Sequence, residues 1–578
     1  MPQWLRDHKI AAGVSTLAAV AVVGAIWFFA GYMYDVWNQF VRSVTREFFV
    51  RQMFPTWNPL HWTPFTYLVL CLLFAGLAAA SRYTSEATTR HGYTEHKTVK
   101  RTSGAAKAAV AVSVVLSLFS GTYAVSGWVN NDKDEARSYA AATTFVVENP
   151  DQMPAALNPL VMGGKRTVKG SNCLFTTVHD VKSCVQQGTL PGTWDARKAS
   201  LTGAAIVMNR TSGAIPNTDI MDETLTYLYA GDGGGVWSAI RNGVNRQFLN
   251  GIVTWDGSNS PQSCQFTGKY SINYAFGGKW GQNLTDTLAK EYPGLLYDTD
   301  DMWGYCAGSG EITSREPVIV IPVTQQESYN RRTTLRSAGV LVIKGSPTGE
   351  PQITHMASVK AGEFPGPVYP LSLVAKQREL SQWAAGRKNQ DSLHFGYEPA
   401  DSTSQEGNTS EYLLRSPSGR LFWVTPMTPN SSQSQLLVAY SITPADETSQ
   451  GSLNDQRIYV LPDNDPRIVN IDDMEARVGE AIRTTNPGFF TGDKPGKITE
   501  FLPVNDTTWQ AFAELNGRVV YRVEVPSNAK IRPTVQTLDS TVEAPSGAKV
   551  CLTDPAQLSK TQLSDCIGLF AKELAGRN

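Results

Sequence analysis

The sequence predicts a membrane protein: three N-terminal transmembrane helices followed by a large α+β extracytoplasmic region. Three observations carry this. Long uncharged apolar runs are confined to the first 130 residues, basic side chains crowd the stretch between the second and third runs, and six of the seven cysteines lie beyond residue 131. At 578 residues the chain exceeds one ordinary domain, and two or three globular units beside the membrane segment are expected. The formal net charge of -1 offers no long-range field for a polyanion, so nucleic-acid binding is excluded as a first reading.

The first span is read at about 11–34, where no charge separates Lys9 from Asp35. That run is long enough at the helical rise to cross about 30 Å of hydrocarbon. It leads directly into Trp27, Phe28, Phe29, Tyr32 and Tyr34, an interfacial belt and not the small-residue site at which a signal peptide is cut. The second span is placed at 62–81 and the third at 108–129. The loop 82–107 carries Arg82, Arg90, Lys97, Lys100, Arg101 and Lys107 against Glu86 and Glu95, which marks it as cytoplasmic. The N-terminus then also lies inside, and residues 131–578 lie outside. Between the first two spans Val36, Phe40, Val41, Val44 and Phe48 recur at helical spacing, while Arg42, Arg46 and Arg51 run against the basic bias. An amphipathic helix in the headgroup layer and a helix packed on the soluble region both fit this pattern.

Cys71 sits within the second span, where it acts as a small apolar residue. The other six, Cys173, Cys184, Cys264, Cys306, Cys551 and Cys566, form an even set on the expected oxidising side. Six cysteines allow 15 pairings; sequential pairing of Cys173 with Cys184, Cys264 with Cys306 and Cys551 with Cys566 closes the shortest loops. Zinc is disfavoured, because no C-x-x-C pair exists and His179, His355 and His394 are the sole histidines beyond the membrane region.

Past Asn130–Arg137, a charged exit, a short helix is expected over 138–147. Residues 131–310 then read as an irregular disulfide-bearing module rich in Gly, Asn and Trp. Residues 311–578 read as an α+β module of hairpins and helices. PVIVIPV at 317–323 and GVLVIKG at 339–345 are short strand signals. Tyr412–Arg415 and Arg420–Thr425 flank the turn Ser416–Gly419, and Gln510–Leu515 and Arg518–Val525 flank Asn516-Gly517, a pair that favours tight hairpins because both residues accept positive φ. Helices are expected at 371–385, at Met474, Val478, Ala481 and Ile482 behind an Asp472/Asp473 cap, and from Asp554 to Leu574.

These motifs, with FPGPVYPLSLVAKQREL and LNGRVVYRVEV, resemble the outer portions of uncharacterised bacterial and phage membrane-anchored proteins. In those proteins several N-terminal spans precede a hairpin-rich ectodomain. The resemblance covers residues 317–525 at most. It implies a prokaryotic or phage setting and no established activity.

Candidate chemistry is sparse and no catalytic residue is assigned. Asp298, Asp300 and Asp301, beside Tyr297, Trp303 and Tyr305, offer oxygen ligands for calcium, or a carboxylate pair with sugar-stacking aromatics. An ordinary exposed acidic loop is the alternative, and otherwise no cofactor is expected. Asp463, Asn464 and Asp465 read as a turn before a helix. The glycine run at 231–235 and Gly163-Gly164-Lys165-Arg166 lack the order of a phosphate loop, and no G-x-S-x-G elbow occurs. The extended segment containing Pro365, Pro367 and Tyr369 is a candidate partner-binding path or a rigid connector into the next helix. The expected function is a binding or scaffold protein in the bacterial plasma membrane, a homo-oligomer or one component of a larger envelope assembly. An extracytoplasmic hydrolase of envelope polymer and a transport component are the alternatives.

Overall fold

Pro64 opens the first described helix, α1 (Pro64–Arg82), at the one position where its missing N–H costs nothing, and the Thr63 hydroxyl accepts from Thr66 N at 3.3 Å just before it. The computed structural model describes residues 62–538 apart from 91–92, 101–102, 158–184, 196, 213–217, 230–234, 244–247, 258–259, 279–280, 330–331, 387–388, 391–393, 401–410, 432–435, 493–494 and 516–517. The expected span at 11–34, the stretch 36–48, Cys173, Cys184, Cys551, Cys566 and the helix from Asp554 lie outside the described residues.

Helix α1 runs through the expected second span and is followed by an antiparallel hairpin, Tyr83–Arg90 with Tyr93–Lys100. Helix α2 (Gly104–Ala140) then returns, with Ser103 capping it by accepting from Ala106 N. Among the described residues these two helices are long and apolar enough to cross a membrane: α1 over 19 residues and Gly104–Gly127 of α2 over 24, each with mean hydropathy 1.9. Small side chains let the two helices approach each other closely. Ser117 donates to Cys71 O at 3.0 Å, and a Cβ on Gly127 would lie 2.7 Å from Pro64 Cγ. Leu118, Phe119, Val125 and Val129 face outward instead.

The helix of the expected third span, placed at 108–129, does not end there. Helix α2 has 37 residues, about 55 Å at the helical rise, and its last turns enter the globular region. The helix expected over 138–147 is corrected as well: α2 ends at Ala140, and Thr143–Val147 is a strand buried at every position. Its β-branched and aromatic residues suit a strand flanked on both sides, where a continuous apolar run replaces alternation. It lies parallel to Gln456–Val460 on one side and to Val185–Gln187 on the other.

The globular region is mixed α+β with mostly sheet. A seven-stranded sheet runs in the order Tyr397–Pro399, Leu421–Pro429, Ala439–Pro444, Gln456–Val460, Thr143–Val147, Val185–Gln187, with Tyr412–Arg415 also on Leu421–Pro429. A five-stranded sheet is built on the long hairpin Glu316–Tyr329/Arg332–Lys344, which Trp303–Ala307 and Gln352–Met356 extend. The stretch expected to be irregular holds another five-stranded sheet centred on Gly235–Gly243 and Leu249–Trp255, preceded by helix α3 (Leu201–Ser212) and followed by α4 (Leu284–Glu291). A four-stranded sheet, Lys497 to Thr537, closes the described chain, and its hairpin pairs Leu515 with Arg518 as Asn516-Gly517 predicts. Helices α5 (Leu371–Leu380) and α6 (Ile471–Thr485) complete the fold. The cap of α6 is Asn470, which accepts from Asp472 N and Asp473 N; the two aspartates occupy the first turn instead.

Strand pairing passes straight across residue 310. Trp303–Ala307 joins Glu316–Tyr329, and Thr143–Val147 sits inside a sheet made otherwise from residues beyond 396, apart from its neighbour Val185–Gln187. Cys264 and Cys306 form a disulfide between two of the sheets, the pairing expected from sequence.

Candidate functional site

The acidic cluster resolves into separate tasks. Asp298 caps a short 3-10 turn, accepting from Asp300 N at 3.4 Å. Asp301 is 7% exposed and points away from solvent. Its carboxylate accepts from Leu371 N at 2.6 Å, from Ser372 N at 3.3 Å and from the Ser372 hydroxyl. These are the orphan donors of α5, whose own cap residue, Pro370, has no side-chain acceptor to offer. The helix borrows its cap from 70 residues upstream. Trp303 is fully buried and donates its indole N–H to Pro367 O at 2.8 Å, so it forms no exposed sugar platform. Among the described residues no three His, Cys, Asp or Glu side chains gather where they could hold a metal ion.

Burial pushes the Asp301 carboxyl up to about 7, against the pull of its three hydrogen bonds. A folded-state value above the ordinary value of about 3.9 means that the native state keeps a proton which the unfolded chain releases. This part of the stability is present below about pH 4 and is lost as pH rises to about 7. Urea unfolding across that window is expected to show a falling stability that Asp301→Asn flattens, by at most about 1.4 kcal/mol per pH unit.

The segment considered for partner binding is an internal connector. Pro365 O accepts from Tyr229 N at 2.8 Å, Pro367 O from Trp303 and Tyr369 O from the Trp423 indole at 2.9 Å. Three sheets therefore donate to it. Pro367 and Tyr369 are buried, and the Tyr369 hydroxyl donates to Gln377 Oε1 at 3.2 Å. The backbone carbonyls of Pro365, Pro367 and Tyr369, the residues named for partner binding, are thus taken by the chain itself.

The densest buried charge lies elsewhere, at residues the sequence did not single out. Arg197 is 5% exposed, its guanidinium 5.2 Å from the ring centroids of Tyr227 and Trp237 and 5.8 Å from that of Tyr412. Aromatic faces attract a desolvated cation. Its Nη1 pairs with Glu500, and its Nη2 donates to Leu413 O at 3.3 Å. Glu500 is the extra residue of a β-bulge between Thr499 and Phe501, with φ of 54°, a left-handed conformation that is uncommon for a side-chain-bearing residue. The bulge turns its carboxylate inward. Glu500 Oε2 also accepts from Leu201 N at 3.1 Å, and the neighbouring Glu514 accepts from Ser200 and Thr499 while Ser200 accepts from Gly203 N. Burial raises the Glu500 carboxyl and Arg197 opposes it. Glu500 thus caps α3 directly and pairs with Arg197, while Glu514 reaches the helix start through the Ser200 hydroxyl.

No family model, no curated protein and no solved structure matches the chain.

Proposed function

We propose that this protein is a membrane-anchored binding or scaffold protein of a bacterial envelope. In this reading its globular region stands outside the plasma membrane and takes part in a larger assembly. The observation that carries the reading is the unbroken course of α2 from an apolar stretch into the globular core. Tyr139 on its last turn is fully buried, its hydroxyl accepting from Leu335 N at 2.9 Å. Glu135 pairs with Lys376 at 2.5 Å, and Ser138 donates to Thr334 at 3.1 Å. A globular region held on its anchor without a linker keeps a fixed pose on the membrane, which suits assembly more than it suits roaming for substrate. The basic loop 82–107 supports an inside position for the Tyr83–Lys100 hairpin. The Cys264–Cys306 disulfide supports an oxidising outer compartment. Asp301, a carboxylate of the hydrolase alternative, is committed to capping α5. Cross-linking in native membranes is expected to recover the chain in a discrete higher-mass species. Recovery only as a monomer, over a range of cross-linker lengths, sinks the proposal.

A further inference from the structure

Three arginines are buried among the described residues: Arg197, Arg241 and Arg378. Arg197 has Glu500 and Arg378 has Glu411. Arg241, 2% exposed on Gly235–Gly243, has no carboxylate within ion-pair reach among the described residues. Its Nε donates to Asn250 Oδ1 at 2.6 Å, and its Nη2 is buried with no partner among the described residues. A guanidinium cannot escape by giving up its proton, and an isolated charge in the interior is heavily penalised.

The backbone beside it is built for this side chain. Pairing passes from Arg241 opposite Gly251 to Asn242 opposite Leu249, so Asn250 is the extra residue of a bulge. Bulges re-aim side chains and are frequent beside functional sites. The next residue is Gly251, where a Cβ would lie 2.3 Å from Cys264 O, so the close approach of Leu249–Trp255 to its other neighbour, Gln262–Gln265, depends on it. The bulge supplies a neutral acceptor to Nε alone. The Nη edge, the one suited to chelating two oxygens of a carboxylate or phosphate, is left over.

We infer that Arg241 is the recognition group of a binding site for a small oxyanion, a carboxylate or a phosphate, with Asn250 holding the guanidinium in place. Nothing in the anchoring role requires this site, so the two proposals stand or fall separately. Burial pulls the Arg241 pKa below the ordinary arginine range, in keeping with a cation that lacks its counter-charge.

The test uses the full-length protein in detergent, with thermal unfolding followed against inorganic phosphate and, separately, acetate, at ionic strength held constant with sodium chloride. One or both anions are expected to raise Tm in a saturable way, by about 2–4 °C at ten times Kd. Which anion acts distinguishes a phosphate from a carboxylate site. Arg241→Met is expected to abolish the response. Asn250→Asp places a carboxylate of the chain's own beside the guanidinium and is expected to raise Tm without added anion while removing the response. Absence of any response in the wild type overturns the inference, as does an equal response in the wild type and Asn250→Asp.

Discussion

Replacing Arg197 by Met is expected to lower the unfolding free energy by about 3–5 kcal/mol, because removal of one partner leaves Glu500 buried without its counter-ion. The loss exceeds that of an ordinary surface pair, whose charges stay in water. Three elements share the damage: the aromatic residues of two sheets, the bulged strand Lys497–Pro503 and the start of α3. The double variant Arg197→Met with Glu500→Met removes both charges and is expected to recover much of the deficit, since an apolar pair of similar volume often replaces a buried ion pair at little cost. Urea unfolding followed by tryptophan fluorescence measures both, Trp237 lying against Arg197 itself. A single variant as stable as the wild type would show that the pair holds nothing together.

Tyr139→Ala is the second large effect, at about 3–5 kcal/mol of local stability for a fully buried aromatic side chain. Its ring lies 5.5 Å from the Arg336 guanidinium and 6.0 Å from the Lys376 ammonium, and its hydroxyl is the acceptor for Leu335 N. Tyr139→Phe removes only that hydrogen bond and is expected to cost about 1 kcal/mol. The readout is limited proteolysis within 128–137. If opening is fast compared with cleavage, the alanine variant is expected to be cut roughly 100- to 5000-fold faster and the phenylalanine variant about fivefold faster. Equal rates for all three proteins would mean that α2 is held to the globular region by other contacts.

Much of the hairpin and helix content was legible because its signals are local. The turn Ser416–Gly419 closes with Gly419 N donating to Ser416 O, and Gly419 has a φ of 83° that glycine adopts freely. The apolar stripe of Met474, Val478 and Ile482 is buried as its spacing implies. The sheet centred on Gly235–Gly243 escaped notice because almost every position of that strand is covered on both faces, so no period of two survives. The stretch 130–137 reads in sequence as a charged exit from the span; the helix continues through it into contacts with residues beyond 330. The ionic centre had no local signature at all: Arg197 and Glu500 are 303 residues apart, and an isolated glutamate in Lys497–Pro503 looks like an exposed position until the bulge is seen. Asp301 stood out in sequence for its charge alone; its capping of α5 had no signal there, because the donors it satisfies lie 70 residues along the chain.

The place of Thr143–Val147 between Val185–Gln187 and Gln456–Val460 also bears on how the protein is made. A ribosome finishes this strand soon after α2 and must add 313 further residues, from Thr143 to Gln456, before its later neighbour exists. At 5–20 residues per second that is about 15–60 s. Throughout this interval a strand of five buried residues has one edge without its native neighbour while the chain is tethered by the helices ahead of it. Such an edge is the kind of surface that captures other strands. Biogenesis is therefore expected to depend on a holding chaperone on the side where the globular region folds, and a chain truncated before residue 456 should aggregate instead of folding as a smaller domain.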